Sequence, residues 1–426
     1  FDVSENKAIY HVSKTGWTVS SSADTDIYCY SKDTDILTEN GWKNIAEFVE
    51  RKSNIKIATL NPVTNKVEYH YPTRLFKKKA DKLFYQSGKN IDFLVTPNHR
   101  VWVQPFKREG TKANTTEEWR LQRADEIGRK VRYRRDFPYD NPDKEIFTIP
   151  AYKKEYPTKE CEQVFFGGKK GKKSAHINNI TREEKSYPMD DFLKVFGIWI
   201  AEGSLRKNGT IAISQHQKDK ALVIKQWVEN LGYKNVLYTG SDILFYDVQF
   251  NSWLKQFGHS YDKWIPKELK NLSKRQSKIL LDALIFGDGS RFSSKTGSYY
   301  ATVSKQLADD VQELAIKSGF VTTLSRRIDG IYIVNISENT KLRTVAPNHR
   351  VDKRQYVDYN DYVYCVEVPN HIVYARRNGK ACWNGNCYYD NTAGHNTTYI
   401  SKSGGTAAQS VWDSNFEAVY HMNDAI

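Results

Sequence analysis

The chain has 426 residues, a formal net charge of +14 and five cysteines, none of them in a CxxC pair. Its length allows two or three domains with sizeable cores, and the cysteine spacing argues against a structural zinc site and a disulfide framework. No apolar run reaches the length of a membrane span or a signal-peptide core. We therefore expect a piece of a longer, soluble product from a reducing compartment, with no membrane partner.

The charge is unevenly distributed along the chain. Residues 1–28 carry a net charge of −2 and residues 387–426 one of −3, so the segment between them carries +19. A polyanionic partner such as nucleic acid is therefore expected at the centre of the chain and not at its ends. A charge run is also typical of a solvated surface, and charge alone leaves both interpretations open.

From Cys29 onward the sequence consists of short apolar runs separated by Asn, Gly and Pro. This pattern predicts strands within 35–70, with a hairpin at residues 61–65, and a further strand within 91–104, which together indicate a compact all-β unit. Residues 117–135 predict a short helix followed by a basic strand.

Residues 136–188 look irregular and contain the run GGKKGKKS at 167–174. This composition is typical either of a flexible linker or of a loop that contacts phosphates. The segment therefore separates the β unit from whatever follows it, with or without a binding role.

Two similar units follow. The sequence MDDFLKVFGIWIAEGSL (189–205) predicts an apolar helix that ends at Glu202, and LSKRQSKILLDALIFGDGSRF (272–292) predicts a second that ends at Asp288. Alternating runs that predict strands come after each helix. Laying Glu202 on Asp288, 86 positions later, aligns the two units, so this region is an internal repeat.

The repeat predicts a site made of two carboxylates. Gly and Ala residues near the ends of both helices allow close packing, which would bring Glu202 and Asp288 together. Two adjacent carboxylates repel each other unless a divalent cation lies between them, and Mg²⁺ prefers one or two carboxylates with phosphate oxygens. Such a site cuts phosphodiesters. The alternative is that each acid merely ends a core helix.

A second constellation lies at the two ends of the basic segment. Cys29 follows DTDIY, Asn386 precedes Cys387, and joining the flanks gives the β-prone run DTDIYCYYDNT. An asparagine amide can cyclise onto its own carbonyl and cut the chain, and thiols are strong nucleophiles near neutral pH. Cysteines at both ends can therefore relay an acyl group, unless two of five cysteines merely lie near similar tyrosines.

The helical motifs resemble a known family. FGIWIAEGS and LDALIFGDGS are similar to the two motif copies of LAGLIDADG homing endonucleases, and DKWIPKEL (262–269) resembles the lysine-bearing block between them. The resemblance implies an α+β domain of two pseudo-symmetric repeats over 189–340 that cuts double-stranded DNA at the intein-less host gene. It also implies Mg²⁺ held by Glu202 and Asp288, with Lys263 as the catalytic lysine.

Such endonucleases are usually inserted in inteins, and the remaining motifs resemble an intein. Cys29 matches its first residue, TPNH (96–99) its block with Thr and His, and Asn386 with Cys387 its terminal pair. The resemblance implies a multidomain chain in which an all-β Hint (horseshoe) splicing domain is interrupted by the endonuclease. Its parts would be an N-terminal extein 1–28, Hint segments 29–140 and 341–386, a basic linker or DNA-contacting segment 141–188, and a C-terminal extein 387–426.

The resemblance also implies roles in the first splicing step. Cys29 would attack the carbonyl of Tyr28 and form a thioester. His99 would protonate the departing amide nitrogen, and Thr96 or nearby N–H groups would stabilise the oxyanion. Each such role contributes about two to four orders of magnitude in rate.

The later steps would use the other end of the segment. Cys387 would accept the acyl group, and Asn386 would cyclise with the help of His371 and release the intein. Gly385 departs from the family, which usually has histidine there. Cys365 stands where many relatives have aspartate and is assigned an assisting role, the alternative being a buried apolar thiol.

The sequence thus predicts a monomeric, cytoplasmic, self-splicing intein with a nested Mg²⁺-dependent endonuclease, whose partners are DNA and its own flanking exteins. The location of the host protein stays open between export and the cell surface. The alternative is a DNA-binding insertion in a non-splicing or cleavage-only intein with an inactive endonuclease.

Overall fold

The protein is represented by a computed structural model. It describes residues 7–13, 16–20, 28–109, 112–128, 130–154, 160–163, 171–174, 180–292, 296–347 and 352–386. The chain divides into two compact units. The first unit comprises residues 1–134, 345–377 and 381–426, and the second comprises residues 135–344 and 378–380.

The elements are numbered in chain order. The strands are β1 Lys7–Ser13, β2 Gly16–Ser20, β3 Tyr30–Ser31, β4 Asp35–Thr38, β5 Gly41–Asn44, β6 Ile57–Leu60, β7 Val67–His70, β8 Arg74–Ser87, β9 Asp92–Val95, β10 Arg100–Glu109, β11 Lys112–Thr116, β12 Arg120–Arg123, β13 Val131–Arg134, β14 Ile146–Ile149, β15 Tyr152–Lys154, β16 Glu160–Gln163, β17 Gly171–Ser174, β18 Ile180–Arg182, β19 Lys185–Pro188, β20 Gly203–Leu205, β21 Thr210–Ser214, β22 Leu237–Tyr238, β23 Asp242–Tyr246, β24 Gly289–Arg291, β25 Gly297–Thr302, β26 Val321–Arg326, β27 Tyr332–Ser337, β28 Thr344–Val345, β29 Lys353–Glu367, β30 Ile372–Arg377 and β31 Lys380–Gly385. The helices are α1 Ile45–Glu50, α2 Met189–Glu202, α3 Lys218–Asn230, α4 Val248–Leu254, α5 Lys267–Lys270, α6 Lys274–Asp288 and α7 Lys305–Lys317, with 3₁₀ turns at Lys255–Phe257 and Thr340–Arg343.

The first unit is built almost entirely of antiparallel strands. One sheet has the order β2-β1-β8-β29-β3-β9, and its longest ladder joins β8 to β29 from Arg74 opposite Glu367 to Ser87 opposite Lys353. Around it, β30 pairs with β4 and β6, and β10 pairs with β11, β12, β13 and β31. The predicted β character of this part of the chain is confirmed.

One element predicted for this unit is wrong. The predicted basic strand is confirmed as β13, in which the buried Val131 and Tyr133 alternate with the more exposed Arg132. Before it, the described residues contain strand β12 in place of the predicted short helix, and both strands pair with β10. The high helix propensity of Arg, Gln and Glu concealed β12 in the sequence.

The second unit contains the predicted repeat. Helices α2 and α6 are each followed by an antiparallel sheet, β20-β21-β23-β22 after the first and β24-β25-β27-β26 after the second. Helices α3 and α7 take equivalent places after β21 and β25. The hydroxyl of Ser273 accepts from the Gln276 N–H at 3.1 Å, so the Ser-x-x-Gln pattern in the sequence caps the start of α6.

The described parts of residues 136–188 form strands, which differs from the irregular segment that the sequence predicts. Three antiparallel pairs, β14 with β19, β15 with β18 and β16 with β17, bring the two halves of this segment side by side. Phe147 and Ile149 are buried, whereas Ile146 is exposed. The strand period is therefore present, but the Pro and Lys residues interleaved with it obscured the pattern.

Within the described ranges, no helix combines the length and apolar character needed to cross a membrane.

Candidate functional site

Two separate sites contain the residues singled out from the sequence, one in each unit. The first is the junction cluster, which consists of Cys29, Thr96, His99, His371 and Asn386 with the residues that contact them. The second is the carboxylate pair, which consists of Glu202 and Asp288 with Lys263. Each is described within its own unit.

In the junction cluster, Thr96 makes hydrogen bonds with both the N–H and the carbonyl of Cys29. The Cys29 N–H donates to the Thr96 hydroxyl at 3.0 Å, and the Thr96 N–H donates to the Cys29 carbonyl at 2.9 Å. The next residue, Tyr30, pairs with Val95 across β3 and β9. The Cys29 thiol is fully buried. The peptide bond between Tyr28 and Cys29 is therefore fixed at its nitrogen.

His99 lies against the same peptide. Its imidazole is fully buried, and its ring centroid lies 4.4 Å from that of Tyr30. Burial lowers the pKa of His99 to about 3, opposed by an interaction with the backbone of Tyr28. Neither ring nitrogen makes a hydrogen bond of standard geometry within the described residues. We interpret this as a close but imperfectly aligned contact of a neutral imidazole with the Tyr28 backbone.

The other end of the segment is also buried. The Asn386 N–H donates to the His371 carbonyl at 3.0 Å, and its side-chain Nδ2 donates to the Val368 carbonyl at 3.3 Å. His371 has a positive φ of 56°. Burial lowers the pKa of His371, and a hydrogen bond with Asn386 opposes this effect. The amide that would cyclise is thus held beside a neutral imidazole.

Direct contacts join the two ends. The Tyr30 hydroxyl donates to the Gly385 carbonyl at 2.5 Å, so residues adjoining Cys29 and Asn386 are hydrogen-bonded to each other. The Arg100 guanidinium lies 5.3 Å from the centre of the Tyr28 ring, and its charge helps to lower the pKa of His371. Tyr30 and Arg100 were missed in the sequence because each merely adjoins a motif residue.

The structure explains the glycine before Asn386. A Cβ at Gly385 would lie 2.4 Å from the Arg100 carbonyl oxygen and 3.0 Å from Leu121 Cδ2. Real Cβ atoms do not approach a backbone oxygen so closely, and a backbone neighbour cannot move aside as a flexible side chain can. A histidine does not fit at this position, so its usual contribution would have to come from elsewhere.

Two further residues singled out from the sequence complete the description. Cys365 is fully buried in β29 opposite Phe76, and its thiol donates to the Val366 carbonyl at 3.5 Å. This environment is that of an apolar thiol. Cys387 lies outside the described residues.

The carboxylate pair is brought together by close helix packing. A Cβ at Gly287 would lie 2.5 Å from the Ala201 Cβ and 3.3 Å from Glu202 Cγ. Only a residue without a side chain allows α2 and α6 to approach this closely. The two helices therefore end side by side and place Glu202 and Asp288 close enough for their charges to interact.

Lys263 lies beside the end of α2. Its Nζ donates to the carbonyls of Trp199 at 3.2 Å and Gly203 at 3.1 Å. The Ser304 hydroxyl in turn donates to the Lys263 carbonyl at 2.8 Å. Lys263 thus caps the helix C-terminus, where a cation interacts favourably with the helix dipole, and also faces the carboxylates.

The electrostatics of this site are unfavourable in the absence of a cation. Burial, and then repulsion from Glu202, raises the pKa of Asp288 to about 7. Burial also raises the pKa of Glu202, opposed by the charge of Lys263, and lowers the pKa of Lys263 to about 8. Asp288 is exposed on one side, and the protein atoms on its other side desolvate the carboxylate.

These groups fit a divalent cation that is only partly held by protein. Two adjacent, repelling carboxylates are hard oxygen donors of the kind that Mg²⁺ uses together with water and phosphate. No group of three or more His, Cys, Asp or Glu side chains suited to a metal is found in the described part of the chain. The remaining ligands would therefore come from water or from a bound phosphodiester.

Comparisons with known proteins agree with this region of the fold. Residues 276–349 match the family described as LAGLIDADG-like domain. The match covers α6 and the sheet and helix that follow it, which form the second copy of the repeat.

Three curated relatives match most of the chain. It is 27% identical to the ATP-dependent Clp protease proteolytic subunit of Chlamydomonas moewusii, over 79% of the chain and 34% of the relative. It is 28% identical to the DNA-directed RNA polymerase subunit beta C-terminal section of Stigeoclonium helveticum, over 85% of the chain and 37% of the relative. It is 27% identical to the ATP-dependent DNA helicase Hel308 of Thermococcus kodakarensis, over 71% of the chain and 28% of the relative. The chain thus spans about a third of the length of these relatives.

The chain is also similar to solved structures over about a third of its length. The crystal structure of I-DmoI in complex with DNA and Mn covers 35% of this chain and 90% of its own, with a TM-score of 0.27 and 12% identity. Full-length DUF199/WhiA from Thermatoga maritima covers 36% of this chain and 52% of its own, with a TM-score of 0.26 and 12% identity.

Proposed function

We propose that the first unit is an intein splicing domain and that the second is a LAGLIDADG homing endonuclease nested within it. The observation that carries the splicing proposal is the contact between the two ends of the segment, made by the Tyr30 hydroxyl and the Gly385 carbonyl. This contact brings the two proposed splice junctions into one buried cluster, as an acyl transfer between them requires. The host flanks are residues 1–28 and 387–426.

In the first step, the thiolate of Cys29 attacks the carbonyl carbon of Tyr28. A C–S bond forms, the C–N bond breaks, and the amide nitrogen receives a proton from the N–H of neutral His99. Thr96 keeps that nitrogen in place through its hydroxyl. The other ring nitrogen of His99 takes the thiol proton, so the imidazole ends the step neutral and the products are a thioester and a free amine.

In the following steps, the Cys387 thiol takes the acyl group from Cys29, with one C–S bond formed and one broken. The Nδ2 of Asn386 then attacks its own backbone carbonyl, and the peptide bond to Cys387 breaks. His371 can receive a proton from Nδ2 because its ring is neutral, and that proton passes to the departing nitrogen of Cys387. A final shift of the acyl group from sulfur to nitrogen leaves an ordinary peptide bond between the flanks.

The curated relatives support an inserted element. They are named for a protease subunit, a polymerase subunit and a helicase, and each aligns over most of this chain but over only about a third of its own length. A segment that recurs in proteins of unrelated activity is what a mobile insertion predicts.

For the second unit we propose metal-dependent hydrolysis of double-stranded DNA at a specific site. The family match over residues 276–349 and the paired carboxylates support this function. Glu202 and Asp288 would hold Mg²⁺, which supplies an activated water and neutralises phosphate charge. Lys263 supplies a further positive charge beside the two carboxylates. The net charge of +19 between the two flanks is suited to a polyanionic substrate.

Mass spectrometry of the purified chain tests the splicing proposal. Incubation should yield the ligated flanks and a released fragment of residues 29–386. Cys29→Ala should abolish ligation while leaving cleavage at Asn386. A chain that stays intact under all conditions, or releases a flank without ligation, would support the alternative of a non-splicing insertion.

Cleavage of a plasmid that carries the uninterrupted host gene tests the endonuclease. The chain should linearise it in the presence of Mg²⁺ and leave it intact with a chelator. A chain that splices but never cuts this plasmid would identify the endonuclease as inactive.

A further inference from the structure

The loop that carries His371 is held by two residues of a neighbouring hairpin. Thr59 in β6 and Glu68 in β7 are paired directly across that hairpin. The Thr59 hydroxyl donates to the Ile372 carbonyl at 2.6 Å, and the Glu68 carboxylate accepts from Asn370 Nδ2 at 2.9 Å. One cross-strand pair therefore binds the residues on either side of His371.

Glu68 is itself fixed from other directions. Asn61 Nδ2 donates to Glu68 Oε1 at 2.8 Å, and His70 Nε2 lies 2.8 Å from Glu68 Oε2. A carboxylate that accepts several hydrogen bonds is restricted to one rotamer and stays ionised. Glu68 can therefore act as a rigid anchor although its side chain is about a third exposed, at 34%.

The held loop needs such an anchor. His371 has a φ of 56°, in the left-handed region that residues with a side chain seldom adopt. A conformation of this kind persists only where the surroundings enforce it. The turn from Val368 to His371 presents two carbonyls to Asn386. The Asn386 backbone N–H donates to the His371 carbonyl, and its Nδ2 donates to the Val368 carbonyl.

We propose that Glu68, together with Thr59, is a positioning residue for the cyclisation of Asn386, acting through Asn370 and the loop that carries His371. The inference rests on the proposed splicing function and deepens it. Glu68 does not touch the reacting atoms. Its contribution is confined to the C-terminal step, because its contacts lead to the His371 loop and not to Cys29, Thr96 or His99.

The full chain in two backgrounds separates the steps. In the Cys29→Ala background, only Asn386 cyclisation can cut the chain, and the rate of C-terminal cleavage is measured as the release of residues 387–426. In the double variant Asn386→Ala, Cys387→Ala, only the thioester at Cys29 can form, and the rate is the release of residues 1–28 by dithiothreitol. Glu68→Ala is introduced into both, and Asp81→Ala, at an exposed carboxylate in β8, serves as the matched control.

We expect Glu68→Ala to slow C-terminal cleavage by about ten- to a hundredfold, the range caused by misplacing a reacting group by an ångström or less. N-terminal cleavage should stay within about twofold of its parent. Asn370→Ala should reproduce this selectivity because it removes the same hydrogen bond from the other side. Asp81→Ala should alter neither rate.

Three outcomes would overturn the inference. Equal loss of both cleavages would mean that Glu68 merely supports the fold, and unchanged cleavages would mean that the anchor is unnecessary. A selective effect of Glu68→Ala that Asn370→Ala does not reproduce would rule out the route through Asn370. If both parent variants were inert, the splicing proposal itself would fail and take this inference with it.

Discussion

The two candidate sites differ in how they treat solvent and charge. Cys29, His99 and Asn386 are fully buried, and burial keeps the imidazole neutral. Glu202 is instead only half-buried and Asp288 is exposed, and the two carboxylates repel each other. A site that acts on its own chain receives its substrate during folding and can exclude water from the start. A site for a separate polyanion must stay open, and its unpaired charges are resolved only on binding.

Removing one carboxylate should affect the two sites very differently. Asp288→Asn should reduce DNA cleavage by about three orders of magnitude, because a metal held by one carboxylate stabilises the transition state by several kcal/mol less. Splicing should stay within about twofold, since the junction cluster lies in the other unit. Plasmid linearisation and mass spectrometry on the same preparation measure both. Loss of splicing together with cutting would contradict the independence of the two sites.

Acid should destabilise the first unit because His99 is buried in its neutral form. Its pKa is lowered from 6.5 to about 3 in the folded protein, so between these values the unfolded chain binds a proton that the folded chain excludes. The stability of the first unit should therefore fall by a few kcal/mol as the pH drops from 6.5 towards 3.

Hydrogen exchange of peptides from β9 and β10 at pH 7 and pH 4 measures this loss. The chain should carry Cys29→Ala and Asn386→Ala so that it stays intact. His99→Gln, which cannot gain the proton, should show a smaller decrease over the same pH range. An equal decrease in both proteins would show that His99 is not the group responsible.

How far the sequence predicts each site depends on the range of the contacts. The carboxylate pair rests on local patterns: helix periodicity, a Ser273 cap and small residues at helix ends, all visible in the sequence. The anchor of the His371 loop is the hydrogen bond between Asn370 and Glu68, which lie 302 positions apart in the sequence and share no motif. No period or spacing encodes such a contact, so only the folded chain reveals it.

The same limit applies to Gly385. From the sequence it is a departure that removes a proton-transfer partner, whereas the structure identifies it as a packing requirement against the Arg100 carbonyl. Gly385→His should therefore slow C-terminal cleavage by about a hundredfold, because the clash displaces Asn386.

The measurement is the release of residues 387–426 in the Cys29→Ala background. Gly385→Ala should also slow it, since its Cβ alone makes the clash. Faster cleavage by Gly385→His would mean that the family's usual histidine can be accommodated after all, and that the close approach to Arg100 is not a constraint.

The smallest expected effect concerns the packing that creates the open site. Gly287→Ala places a methyl group 2.5 Å from the Ala201 Cβ, and α2 and α6 must separate to admit it. Overpacking of this kind costs about 1–3 kcal/mol. Chemical denaturation should register that loss in the second unit, and DNA cleavage should weaken because the carboxylates move apart. Gly128→Ala is the matched control, since its Cβ would meet nothing within 4 Å. If Gly287→Ala were as stable and as active as Gly128→Ala, close approach of the two helices would not be what sets the distance between Glu202 and Asp288.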